Sequence, residues 1–447
     1  MSTERTETVW LQEWTPEDEL FWESTGQRIA WRTLRITTAN LTMAFVVWFV
    51  VSAVVVRLDE IGFDLSTTQL FWLAAIPGLA GGTLRIVHTF LIPIYGTRQV
   101  VAIASFLLLL PLVGWFFAVQ NPDTPYGVLL VLAALAGLGG GNFSSFMPST
   151  SLFFPKRLQG TALGIQAGVG NFGVSLVQFV TPWIIGFALL GSLGGSQPHV
   201  TEDGVSEIWL QNAMFVWMPI VIAFALWAWF GLKSVPVRAS FREQLDIFGD
   251  KNTWLFTSLY AMAFGSFAGL SAAFPLLIKE LYGDFANAPD PLRFAFLGPL
   301  VGSIMRIVAG PVSDRVGGAK VTMVAAVGLL VCAIGITSTT EPTSTDTFMW
   351  FVIWMLGLFF FSGIGNASVY KQIPMVFPAR QASGVLGWTA AIAAYGPFVF
   401  AVLIAWSIAV TDIDSPNLFF YGLAVFYAIN IFIDYWFYLR RNAEKPS

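Results

Sequence analysis

Twelve apolar runs, each about 20 residues long, leave this chain one way to fold. A helix of that length crosses roughly 30 Å of hydrocarbon, and it satisfies its backbone hydrogen bonds internally where no water can. The runs cover approximately 38–57, 69–94, 98–119, 126–150, 160–189, 208–232, 253–278, 293–313, 319–338, 347–372, 382–410 and 417–439. Only 11% of the 447 residues are charged, against about a quarter in soluble domains. The expected fold is all-α and integral to a membrane, with 12 transmembrane helices. Residues 1–37 are polar and rich in Glu, without the basic start and short apolar core of a cleaved signal peptide. They are expected to form a tail, insertion beginning with the first span.

The same residues exclude several function classes. Cys332 is the single cysteine, and His88 and His199 form no metal-ligand cluster, so neither a metal nor a cofactor is expected. No nucleophile and base pair or paired carboxylates occur in the spans, which argues against an enzyme. The spans place 17 of the 23 Lys and Arg on the side of both termini, 3 on the other side and 3 within the membrane. By the positive-inside rule both termini are then cytoplasmic. The outward loops around Asp123, Glu202-Asp203, Glu341 and Asp412 carry no Lys or Arg, which agrees.

The chain also repeats itself at half its length. Arg85-Ile-Val recurs as Arg306-Ile-Val at an offset of 221, Gly141-Asn142 as Gly365-Asn366 at 224, Phe154-Pro-Lys-Arg157 as Phe377-Pro-Ala-Arg380 at 223, and Leu163-Gly164 as Leu386-Gly387 at 223. Two related six-helix bundles, 38–232 and 253–447, joined by a polar linker at 233–252 with Lys233, Arg238, Arg242 and Lys251, have the layout of a rocking transporter with its site between the halves. The segment Gly310-Pro-Val-Ser-Asp314-Arg315-Val-Gly-Gly318-Ala-Lys320 resembles the loop motif of the major facilitator superfamily, whose Asp and Arg tie helix ends together in one conformational state; Tyr95-Gly96-Thr97-Arg98 is its degraded counterpart. The resemblance implies a major facilitator fold with two pseudo-symmetric six-helix halves.

Three cations interrupt the apolar runs: Arg85, Arg306 and Lys371. A charge at the bilayer centre costs several kcal/mol, about 2.5 to 3.5 on insertion scales, unless something compensates it. Arg85 lies ten residues before Tyr95 and Arg306 eight before Asp314, roughly 15 and 12 Å inward at about 1.5 Å per residue. The acids Asp59, Glu60, Asp314 and Asp434 all fall near helix ends, so a small mobile anion is the expected counterion. Arginine suits a trigonal oxyanion because it stays charged and its planar fork donates several hydrogen bonds. Lys371 is seven residues from Pro378 and either snorkels to the interface or lies in the pathway. As the one buried cation able to lose its proton readily, it is the candidate for proton coupling.

The fifth span carries Gly160, Gly164 and Gly168, a stripe along which another helix can approach and slide, followed by Gly170 and Asn171. Gln166 and Asn171 in this span need partners that a substrate could supply. The eleventh span has a sparser set, Gly384, Gly387 and Gly396. Together with Gly139-Gly-Gly-Asn142-Phe143-Ser-Ser-Phe-Met147 and Phe154-Pro-Lys156, this run resembles the nitrate signature of the nitrate/nitrite porter family, and Gly363-Ile-Gly-Asn366 with Ser383-Gly-Val-Leu-Gly387 resembles its second copy. The likeness covers nearly all of the chain beyond the tail. It implies nitrate or nitrite bound between the halves by Arg85 and Arg306, an aromatic clamp of Phe143 and Phe264, a hydroxyl from Tyr260 and an amide from Asn171. Ala393 and Pro397 stand where the family pattern has glycine, and Lys371 where a neutral polar residue is common, which leaves the transport mode open. Nitrate/nitrite antiport by a monomer in the cytoplasmic membrane, with no nucleic-acid partner, is the expectation. Nitrate/proton symport through Lys371 and a facilitator for formate or oxalate are the alternatives, ahead of a membrane sensor.

Overall fold

The computed structural model describes residues 9–89, 91–189, 194–201, 204–235, 241–410 and 415–447. Among these, twelve helices are long and apolar enough to span a membrane: α1 Glu19–Arg57, α2 Thr67–His88, α3 Ile94–Ala118, α4 Tyr126–Ser151, α5 Lys156–Ile184, α6 Asn212–Gly231, α7 Lys251–Tyr282, α8 Pro291–Val316, α9 Gly318–Ile336, α10 Thr345–Val376, α11 Gly384–Val410 and α12 Asn417–Leu439. Glu202, Asp203, Arg238 and Asp412 lie outside the described residues, as do the side chains of Lys156, Arg242 and Arg380.

Within the first half α2 packs on α4, α1 on α5 and α3 on α6; in the second, α8 and α9 pack on α10 and α9 on α12. Glycine permits the closest of these approaches. A Cβ on Gly139 would collide with the Ala44 carbonyl of α1, and one on Gly363 with the Gly302 carbonyl of α8. Across the halves α2 meets α11, α5 meets α8 and α1 meets α7, the exchange expected of a two-fold repeat. The repeat extends to the first turn of α3 and the turn before α9. Gly96 (φ 78°) and Gly317 (φ 105°), 221 residues apart, both take the left-handed conformation that side chains disfavour.

Three features depart from the sequence expectation. Residues from Glu19 onward, expected as a tail, extend α1; Asp18 caps its start by accepting from the Leu20 and Phe21 amides. The extension buries Trp22, Ala30 and Leu34 against Phe153 and Phe154 at the α4–α5 turn, while Arg28, Arg32 and Arg35 stay exposed on its other side. The three arginines lower the mean hydropathy of a helix whose apolar stripe is continuous. A hairpin, β1 Gln197–Thr201 with β2 Gly204–Ile208, stands between α5 and α6, registered Gln197 to Ile208 and Thr201 to Gly204. Finally, α11 opens at Ala394–Tyr395, one turn before Pro397, which can neither donate to the carbonyl four residues back nor let it pack normally.

On the face away from the termini the halves are tied together. Arg57 at the end of α1 pairs with Asp290 before α8 at 2.7 Å and with Glu60 at 3.0 Å. Lys279 of α7 pairs with Asp59, lies 3.7 Å from Glu60 and donates to the Val56 carbonyl. His199 of β1 bonds Glu60 at 2.7 Å. Every ion pair that crosses between halves among the described residues lies in this layer.

Candidate anion site

Arg85 and Arg306 occupy equivalent turns of α2 and α8 and flank one benzene ring. The guanidinium carbon of Arg85 is 5.2 Å from the centre of Phe264 and that of Arg306 is 6.0 Å from it. Phe264 sits in a π-helical turn of α7, Ala261–Gly265. Such a bulge inserts an extra residue into the turn, and here it falls beside the arginines. Phe143 of α4 lies beneath Arg85 at 4.5 Å, and its ring centre is 6.3 Å from that of Phe264 at an angle of 31°. A flat anion between two rings needs about 7 Å, two contacts of about 3.5 Å. The ring centres lie closer than that, so an anion between them would have to part the rings.

Arg85 is wholly buried, yet it has partners that the sequence did not reveal. Its Nε donates to the Gly140 carbonyl at 2.9 Å and one terminal nitrogen donates to the Ala390 carbonyl of α11 at 2.7 Å. Trp48, Phe143 and Phe264 lie around it. Hydrogen bonds to a charged group contribute about 1.5–3 kcal/mol each, and cation–π interactions about 0.5–2. These exceed the insertion cost of about 2.5–3.5 kcal/mol, so Arg85 does not need an anion to stay in place, a correction to the expectation that the chain offers it no compensation. Its other terminal nitrogen has no partner among the described residues.

Arg306, 7% exposed, has a thinner shell. One nitrogen donates to the Tyr260 hydroxyl at 3.3 Å. The other donates at 3.1 Å to the Asn171 amide oxygen when that amide is oriented to satisfy both neighbours, its NH2 then donating to the Ala167 carbonyl at 3.2 Å. Asn171 belongs to α5, so each arginine reaches a polar group of the opposite half. The repeat offset of 223 sets Ala394 opposite Asn171. There the opened α11 ends its first segment, and a backbone carbonyl one turn earlier, that of Ala390, takes the role that the amide plays for Arg306.

The six predicted binding residues Arg85, Arg306, Asn171, Tyr260, Phe143 and Phe264 thus meet in one place, and no carboxylate pairs with either arginine among the described residues. Asp434, placed near a helix end by sequence, is fully buried in α12. Lys371 does not join the site. Its side chain is 43% exposed and pairs with Asp314 at 2.5 Å, which corrects its placement as a deep cation without an acid. The residue that α10 does present is the neighbouring Tyr370, 5.5 Å from Arg306 and 4.4 Å from Tyr260. One residue is about 100° around a helix, so a polar run marked the right turn and the wrong side. Arg315 is exposed at the end of α8.

The glycine stripe is only partly used in this conformation. Gly168 lies against Ile307 of α8 and Gly170 against Leu41 of α1, and Gly384 meets Ile247 of the linker. Gly164 and Gly387 have open space where a neighbouring helix was expected, and the surroundings of Gly160 lie outside the described residues. Gln166 donates to the Phe146 carbonyl at 3.1 Å rather than facing the arginines. Sequence reasoning missed Gly78 and Gly82, which let Pro397 and the Tyr395 ring approach α2, and Tyr395 then bonds Thr83 at 3.0 Å. A cavity of about 580 Å³ between α7, α11 and α12 is lined by apolar groups such as Ile392, Phe400 and Trp406 and offers an anion no charge.

Known proteins share the chain's family and fold. The model of the Major Facilitator Superfamily matches residues 36–369. The chain is 64% identical over 440 residues, 98% of each protein, to the probable nitrate/nitrite antiporter NarK2 of Thermus thermophilus. It is 35% identical over 470 residues to the nitrate/nitrite transporter NarU of Escherichia coli K12, covering 100% of this chain and 99% of that one. Among solved structures it is similar to the inward open conformation of the xylose transporter XylE from E. coli, with a TM-score of 0.65 at 14% identity over 91% of this chain and 96% of that one, a likeness of fold alone.

Proposed function

From a chain that belongs to the nitrate/nitrite porter family of the major facilitator superfamily, we propose a transporter, not an enzyme, that exchanges nitrate for nitrite by alternating access. The observation that carries this reading is the pair of arginines without carboxylate partners among the described residues, set on either side of a ring clamp that would admit a planar trigonal anion. The free nitrogen of Arg85 and the weakly held nitrogens of Arg306 supply the donors.

Two guanidinium groups facing an empty site repel each other, and a bound anion neutralises part of that repulsion. Substrate therefore favours the closed arrangement of the two halves, and an empty carrier resists closing. Obligatory exchange follows from this without a proton. The ion-paired layer from Arg57 to Asp290 ties the halves together on the face away from the termini while the site itself is buried, which supports release toward the side of the termini as the next step. The Lys371–Asp314 pair binds α10 to α8 within one half, and we assign it to the rocking body and not to the anion pathway.

The excess of basic residues on the side of the termini supports a cytoplasmic position for that side, in the cytoplasmic membrane. Both arginines and the clamp come from a single chain, which supports a functional monomer. Purified protein in liposomes loaded with nitrite should take up nitrate without a pH gradient. Uptake that requires the gradient and ignores internal nitrite would replace antiport by symport.

A further inference from the structure

A second cationic site lies far from the anion clamp, where α1 and α6 meet on the side of the termini. A cavity of about 400 Å³ is lined by Arg28, Ile29, Arg32, Arg35 and Lys233. Arg28, Arg32 and Arg35 are spaced four and three residues apart, which puts them on one face of α1. None of the four cations takes part in an ion pair among the described residues. The Asn40 amide of α1 donates to the Phe224 carbonyl of α6 at 3.1 Å, which holds the two helices together beside the cavity.

Depth identifies what such a cavity meets. Counting about 20 residues back from Arg57, the outer end of α1, puts the hydrocarbon boundary near residue 37. Arg35 is then at the boundary, with Arg32 and Arg28 roughly 5 and 10 Å further out at about 1.5 Å per residue. The ladder crosses the headgroup layer, and the neighbouring face of α6 exposes Trp227 and Phe230 to the hydrocarbon side. Free phosphate would use the cations alone; a phospholipid would use the cations for its phosphate and this apolar face for its chains.

We propose that the α1–α6 cavity binds the phosphate-bearing headgroup of an anionic phospholipid of the cytoplasmic leaflet. The inference rests on the sidedness proposed above and is independent of the transported anion. Each Lys or Arg near an anionic membrane surface contributes about fivefold to binding.

The test uses the full chain in detergent, with native mass spectrometry and thermal unfolding against phosphatidylglycerol, phosphatidylethanolamine and inorganic phosphate. Phosphatidylglycerol should bind at least tenfold more tightly than phosphatidylethanolamine, and its affinity should fall at least twentyfold in the variant carrying Arg28→Gln, Arg32→Gln, Arg35→Gln and Lys233→Gln. Because those cations also help to orient the chain, the pair Arg32→Lys with Lys233→Arg serves as a control that keeps the charge and should keep the affinity. Equal binding of the two lipids, undiminished binding by the neutral variant, or displacement of the lipid by an equal concentration of phosphate would each overturn the proposal.

Discussion

Arg85 and Arg306 occupy the same place in two copies of one plan and are held by different chemistry. Arg85 has two backbone carbonyls and three rings around it and no exposure; Arg306 has a hydroxyl, an amide and slight exposure. Backbone carbonyls within packed helices are fixed acceptors, whereas the Tyr260 hydroxyl and Asn171 amide can turn toward an incoming ligand. Arg85 is accordingly a prebuilt wall of the proposed site, and Arg306 the side that responds to the anion.

The most severe way to break this distinction is to replace the forks. Arg85→Lys and Arg306→Lys should each lower nitrate exchange in proteoliposomes by about 100-fold, equivalent to removing two charge-assisted hydrogen bonds at about 1.5 kcal/mol each. Near-normal exchange by either would remove the site assignment. The two should differ in thermal stability, with Arg85→Lys the less stable because the Gly140 and Ala390 carbonyls lose their donor.

Phe264 lies beside both arginines and Phe143 beside Arg85 alone. Phe264→Ala should weaken nitrate binding by about tenfold or more, because it removes a cation–π interaction of about 0.5–2 kcal/mol from each arginine, and Phe143→Ala by less. Equal effects, measured by calorimetric titration, would mean that the clamp is not shared between the halves. Tyr260→Phe removes the hydroxyl that accepts from Arg306 and should cost about fivefold in affinity, one hydrogen bond of about 1 kcal/mol.

In the outer layer Glu60 faces cations of both halves, Arg57 and Lys279. Burial pushes the Glu60 carboxyl up, but the His199 hydrogen bond, Arg57 and Lys279 together outweigh it and hold Glu60 at about 2. Its contribution to closure is therefore fully present above its ordinary value of 4.5 and is lost only as pH falls toward 2. Accessibility of a cysteine placed on the outward side of the clamp should not change between about pH 5 and 8 through this group. A change that Glu60→Gln abolishes would contradict this account. Smallest of all, Lys371→Gln should leave nitrate affinity within about twofold, because an exposed ion pair contributes about 1 kcal/mol or less and lies outside the site. A tenfold loss would bring Lys371 back into the pathway.

The amino-acid sequence by itself determined the twelve helices, the two halves and the identity of both arginines. Apolar length, charge and repetition are one-dimensional signals, and a bilayer reads them directly. Only the tertiary structure decided what surrounds those arginines. Which side of α10 faces inward separates Tyr370 from Lys371 by a single residue. The Ala390 carbonyl has no side-chain identity for a sequence to display, and it accepts from Arg85 as a second donor beside the Ala394 amide of its own helix. Gly164 and Gly387 look like Gly168 in sequence, yet of these three only Gly168 meets a helix of the other half in this conformation. A glycine permits close approach, but the arrangement of the two halves determines whether anything approaches.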